Sequence, residues 1–150
     1  MQGRIFAAAA ALGGLLALGG CATGSGMSDA EKLASYEAAA GEPVKSFTYL
    51  GRISGWTPLD ERNIAVWTRP KEAWLLGFSG PCLDIEYTPA ISLTNQTGRV
   101  YAGFDKVIVQ NRSSMQMPCR IAQIRPLDTA RIKAAEKAAR DEAQSAPSGT

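Results

Sequence analysis

Apolar and polar positions follow three different periods along this chain. After one basic residue, Arg4, an apolar run extends from Ile5 to Leu18 and gives way to Gly19-Gly20-Cys21 and the small residues Ala22 to Gly26. A helix needs about 20 apolar residues to cross hydrocarbon. This run is shorter, and Gly13-Gly14 weakens it, so it reads as a secretory signal and not as a retained span. From Ser28 the period becomes helical. Ser28-Asp29-Ala30-Glu31 has capping-box spacing, and Leu33, Tyr36 and Ala40 recur on one face before Gly41 and Pro43 stop the helix.

From Val44 the period falls to two. Phe47, Tyr49 and Ile53 alternate with Ser46, Thr48 and Arg52, predicting a strand with one buried face. Gly55 and Pro58-Leu59-Asp60 read as a turn. The runs 63–68 and 73–78 flank Arg69-Pro70-Lys71-Glu72 and form a hairpin. Ser79-Gly80-Pro81 breaks the second strand, Leu83 to Tyr87 reads as another, and Pro89 interrupts it. Asn95 to Gly98 is a turn. Val100 to Phe104 and Lys106 to Gln110 are strands, the latter with Val107 and Val109 on one face. Asn111 to Gln116 is a loop, and Cys119 to Ile124 is the last strand, ended by Pro126.

Asp128 then caps an Ala-rich helix from Thr129 to about Ala143, with Glu136–Arg140 and Lys137–Asp141 four apart. Ile132 is its one large apolar residue, so the helix is expected to dock by its first turns and protrude beyond them. Ser145 to Thr150 reads as a disordered end. The expected architecture is α+β, a small antiparallel sheet or barrel of about six strands flanked by an N-terminal and a C-terminal helix. The division is a signal peptide (1–20), a flexible tether (21–27), a globular α+β domain (28–128) and the Ala-rich helix with its end (129–150).

Composition narrows the function classes. Of 16 Lys and Arg only Arg4 lies in the leader, which leaves 15 against 14 Asp and Glu. A near-neutral chain lacks the concentrated basic face that nucleic acid requires, so no nucleic-acid partner is expected. With no histidine, Ser–His and Cys–His nucleophiles are excluded. Cys82 and Cys119 lie far apart without CxxC spacing, which argues against a metal or redox site. The expectation is a protein that is not an enzyme, with no catalytic residue, metal or cofactor.

Leu18-Gly19-Gly20-Cys21 resembles the lipobox of bacterial lipoproteins, in which cleavage before the cysteine is followed by acylation, palmitate included. Each buried acyl CH2 contributes about 0.8 kcal/mol, so several chains on Cys21 anchor a protein without a spanning helix. Ala22 stands where inner-membrane retention usually places Asp. The resemblance therefore implies an outer-membrane anchor on the periplasmic face. With Cys21 lipidated, Cys82 and Cys119 remain as an even pair in an oxidising compartment, the expected staple of a small domain.

Gly55-Trp56, Val66 to Pro70, Gly80-Pro81-Cys82, Phe104 to Val107, Pro118 to Ile121 and Ile124-Arg125-Pro126 are similar to a family of small, uncharacterised proteobacterial envelope lipoproteins. The resemblance covers about residues 28 to 130. It implies paired Cys82 and Cys119, an extracytoplasmic location and one compact domain, and it carries no activity.

Candidate ligand-binding residues remain. Trp56, Trp67 and Trp74 have the faces on which a sugar of peptidoglycan stacks; Trp67 and Trp74 sit among Val and Leu and read as core, whereas both readings stay open for Trp56. Asp84 and Glu86, two apart, share one face if they lie on a strand, and Asp105 is a third acid available to them; paired carboxylates are the machinery of glycoside hydrolysis and, more commonly, a solvated face. Arg69 with Arg52, Arg120 and Arg125 offers an anion site, against ordinary surface pairing. Asn95-Gln96-Thr97 and Asn111-Arg112-Ser113 match a glycosylation sequon, but beside a bacterial lipobox they read as loops. The leading expectation is a membrane-anchored, non-enzymatic module that binds an envelope protein or peptidoglycan. The alternatives are a cell-wall or polysaccharide hydrolase using Asp84 and Glu86, and an assembly protein acting through the C-terminal helix.

Overall fold

The computed structural model describes residues 26–110 and 117–146. The leader, Cys21, most of the tether, the Asn111–Gln116 loop with its sequon and residues 147–150 lie outside the described residues. Two helices, α1 (Asp29–Ala38) and α2 (Thr129–Ser145), flank strands β1 (Ser46–Thr48), β2 (Gly55–Pro58), β3 (Asn63–Arg69), β4 (Glu72–Phe78), β5 (Ala90–Leu93), β6 (Arg99–Tyr101), β7 (Lys106–Gln110) and β8 (Met117–Leu127). Six strands form one curled antiparallel sheet, a half-barrel of order β2-β3-β4-β8-β7-β5, and β1 pairs with β6 apart from it. The α+β architecture is therefore the expected one, with a half-barrel between the open and closed alternatives. Among the described residues no helix is long and apolar enough to cross a membrane.

Alternation along the strands sorts the core into two layers. Ile64, Val66, Leu76, Phe78, Val107, Val109, Ile121 and Ile124 face inward, where Phe47, Tyr49 and Val100 close over them. On the outer face Ala65, Ala73, Leu75 and Leu127 meet Tyr36 of α1, its C-cap Ala39 and Ile132 of α2. Trp74 and Trp67 fall one on each side: Trp74 stacks on Phe47 with ring centroids 4.9 Å apart, and Trp67 meets Tyr36 edge-on. Both are only partly buried, at the margins of the two layers.

Local signals fixed the helix starts. Ser28 and Glu31 form the reciprocal capping box, and Asp128 accepts bonds from the amides of Ala130 and Arg131. Lys137 pairs with Asp141, whereas Glu136 is taken up by Tyr36 and not by Arg140. Ser145, expected in the disordered end, is the last residue of α2. Thr97 and Gly98, both with positive φ, make the tight turn that joins Gln96 to Arg99, as Asn95 to Gly98 foretold.

Several strand expectations need correction, and proline explains three of them. Gly55 and Pro58 do not make a turn; they lie in β2, an edge strand, where a missing amide costs the ladder nothing. The other edge, β5, follows Pro89 for the same reason. The last strand runs from Met117 through Pro126 to Leu127. Pro118 faces only β7, and the Pro126 carbonyl still accepts from the Gly41 amide at 2.8 Å. The fourth, residues 83–87, forms a turn and is described with the site. The strand expected from Val100 to Phe104 is also shorter, because the chain turns after Tyr101 around Asp105.

Candidate functional site

Tyr36, Trp67 and Glu136 are brought together by α1, β3 and α2. The Tyr36 hydroxyl donates to Glu136 Oε1 at 2.9 Å, and Trp67 stands 6.0 Å away at 84°. Burial, and then the bond to Glu136 and its charge, push the Tyr36 phenol well above the usual tyrosine range. With Ser54, Gly55 and Thr57 these groups line an open cleft of about 450 Å³. Trp56 borders the cleft, but it pairs with Val66 and its side chain packs with the inner layer. Its ring therefore belongs mainly to the core side of β2.

The four arginines separate. Arg52 and Arg69 line one cleft of about 260 Å³ with Thr48, Leu50, Thr68 and Glu72. Arg69 lies 3.5 Å from Glu72, which also accepts from the Thr68 hydroxyl at 2.6 Å. Arg120 is exposed opposite Lys106 on the far part of the sheet. Arg125 clamps the end of α1 onto β8, donating to Gly41 O at 2.8 Å and Ala40 O at 3.1 Å. Only the first two share a surface.

Asp84 and Glu86 do not share a strand face, which corrects the expectation that paired them. Residues 83–87 form a turn in which Asp84 has φ of 62°, a left-handed conformation that Asp tolerates better than most residues. The turn is pinned from within. Cys82 is disulfide-bonded to Cys119 with Cα atoms 5.5 Å apart, its amide donates to Glu61 O at 2.7 Å, and Ile85 is buried. The alternation Leu83-Asp84-Ile85-Glu86-Tyr87 thus comes from one buried anchor between exposed neighbours. Leu83 is 53% and Tyr87 84% exposed, and both line a cavity of about 250 Å³ with Glu61, Asp84 and Glu86.

Asp105 does not join these acids. It is 1% exposed, accepting from the Thr94 hydroxyl and from the Tyr101 amide, both at 2.7 Å. It braces the β6–β7 turn from within, through Tyr101 four residues back, and ties that turn to Thr94 in the segment after β5, a contact that no local signal announces. Among the described residues no group of three His, Cys, Asp or Glu is placed to hold a metal ion.

Exposed aromatic and aliphatic side chains on a rigid acidic turn suit recognition of another chain, and the arginine cleft suits an anion. Neither curated proteins nor solved structures include a match to this chain. A family model does match, over residues 4–143, and so takes in Cys21, the whole sheet and most of α2. On that match the chain belongs to a family of unknown function, DUF6491.

Proposed function

We propose that this chain is a lipoprotein held by Cys21 on the periplasmic face of the outer membrane, and that its domain is a non-enzymatic interaction module. Its docking surface is the turn from Leu83 to Tyr87, and its partner is a basic, partly apolar segment of another envelope protein. The observation that carries the reading is the exposure of Leu83 and Tyr87 on a turn pinned by the buried Ile85 and by the disulfide-bonded Cys82 that precedes it. Ordering such side chains in advance removes much of the entropy cost of association. Tyrosine is also a common source of interface energy. Glu61, Asp84 and Glu86 around the same cavity supply the charge that selects a basic partner and speeds its encounter.

The anchor rests on the lipobox resemblance of Leu18-Gly19-Gly20-Cys21. The resemblance to proteobacterial envelope lipoproteins supports the same compartment, as does a disulfide in a domain this small. Peptidoglycan binding through Trp56 has less support, since that ring packs with the inner layer. An assembly role confined to α2 has less support too, because Ile132 and Glu136 root that helix in the fold.

A photo-crosslinking residue at Tyr87, with one at Gln123 as control, tests the docking surface in cells. Adducts at 87 with a protein that carries a basic segment, lost in Asp84→Lys/Glu86→Lys, are expected. Absence of adducts, or indifference to charge reversal, overturns the docking reading. Turnover of a cell-wall substrate that disappears in Asp84→Asn or Glu86→Gln replaces it with the hydrolase. Intact mass of the membrane-extracted protein tests the anchor: a lipid-modified chain starting at Cys21 is expected, and an unlipidated chain refutes it.

A further inference from the structure

We infer that the cleft between Arg52 and Arg69 is a binding site for a phosphate group, separate from the turn at Leu83–Tyr87. The argument begins with an irregularity in β3. Regular alternation places residue 69 on the outer face with Ala65 and Trp67, away from Thr68. The register shifts between Trp67 and Arg69, however, so Thr68 and Arg69 line the same cleft. A bulge of this kind re-aims a side chain at the cost of ladder bonds, and such bulges are enriched beside functional sites.

From the facing segment come Thr48 of β1 and Arg52, which follows the left-handed turn at Gly51 (φ 83°). Arg99 of β6 reaches the same rim, donating to Thr48 Oγ1 at 3.4 Å and to Ser46 Oγ at 2.8 Å. Arg52 and Arg69 thus share the cleft with a single carboxylate, Glu72, which Thr68 and Arg69 already engage, and Arg99 lies next to it through Thr48. Among the described residues, Arg52 has no carboxylate within salt-bridge distance.

Guanidinium forks and hydroxyl donors match the oxygens of a phosphate better than those of any neutral group. Leu50, 74% exposed on the same rim, offers an apolar contact to the carbon skeleton that bears the phosphate. A phosphate ester in a lipid headgroup and a free phosphate satisfy this chemistry equally, and the experiment separates them.

The full-length protein in a neutral detergent is titrated calorimetrically with inorganic phosphate and with dihexanoyl phosphatidylglycerol. Saturable binding is expected, weakened at least about tenfold by Arg52→Gln and by Arg69→Gln and unchanged by Arg120→Gln, with thermal midpoints confirming that all three variants fold. Binding of both probes supports the site with free phosphate as a sufficient ligand. Binding of the lipid probe alone supports it with the headgroup as the source. Failure of both probes to bind saturably, or affinity retained in both Arg52→Gln and Arg69→Gln, overturns the inference.

Discussion

Replacing Asp105 by alanine tests whether one buried carboxylate holds the β6–β7 turn to the sheet. Its Oδ1 accepts from Thr94 Oγ1 and its Oδ2 from the Tyr101 amide, while Thr94 Oγ1 also accepts from the Lys106 amide at 2.9 Å. Removing the carboxylate leaves a hydroxyl and an amide without their acceptor, each worth about 1–3 kcal/mol where water is excluded. Thr94 and Tyr101 are only partly buried, which places the sum near 3 kcal/mol, toward the low end of the combined range. Asparagine behaves differently. Its oxygen still takes the Tyr101 amide, and its NH2 donates to the second lone pair of Thr94 Oγ1, so Asp105→Asn costs about 1 kcal/mol.

Urea denaturation of the oxidised protein reads both variants. With m of about 1–3 kcal/mol/M, Asp105→Ala lowers the midpoint by about 1–3 M and Asp105→Asn by about a third as much. Because Thr94 and Asp105 share one network, a cycle with Thr94→Val is non-additive by about 1 kcal/mol or more. Equal costs for alanine and asparagine, or strict additivity in the cycle, would falsify the bracing role.

Two further predictions address the staple and the aromatic cleft. Cys82→Ala/Cys119→Ala opens a loop spanning a sequence separation of 37 and lowers stability by up to about 4 kcal/mol, measured as a urea midpoint; a loss under about 1 kcal/mol means the bond adds little to the packing of these two buried side chains. Burial holds the Tyr36 and Tyr49 phenols above the usual range, with Glu136 adding to the effect at Tyr36. Folding is therefore fully favoured below about pH 10, where an unfolded tyrosine titrates, and stability falls as pH rises beyond it. Urea midpoints from about pH 8 to about pH 11 should decline less steeply in Tyr36→Phe than in the parent, and identical slopes count against this account.

Legibility in the sequence followed the range of the interaction. Where neighbours decide, residue order sufficed. Ser28 with Glu31 and Asp128 with the following amides marked the helix starts, the hairpin of β3 and β4 followed from two alternating runs about a proline, and the turn at Asn95 to Gly98 from its glycine. The even pair of cysteines pointed to the Cys82–Cys119 bond. The misread elements, β2, β5 and both ends of β8, carry proline at or beside them. Whether proline breaks a strand depends on whether its missing amide faces a partner, and that is set by the position of the strand in the sheet.

Residues 83–87 show the same limit. Apolar-polar alternation results from a strand on a core and equally from a turn with one buried anchor, and the tie to Cys119 selects the turn. The site was partial for this reason. Arg52 and Arg69 were legible as cations, but their meeting depends on β1 lying beside the β3–β4 hairpin and on a bulge that no local pattern announces. The tie from Asp105 to Thr94 offered no signal, since Thr94 arrives from the segment after β5, although Tyr101 lies only four residues back. The sequence by itself determined the helices, the main hairpin and the residues available for binding. Tertiary structure alone decided the edges of the sheet, the turn at Asp84 and which charges share a cleft, because those follow from contacts between segments distant in the chain.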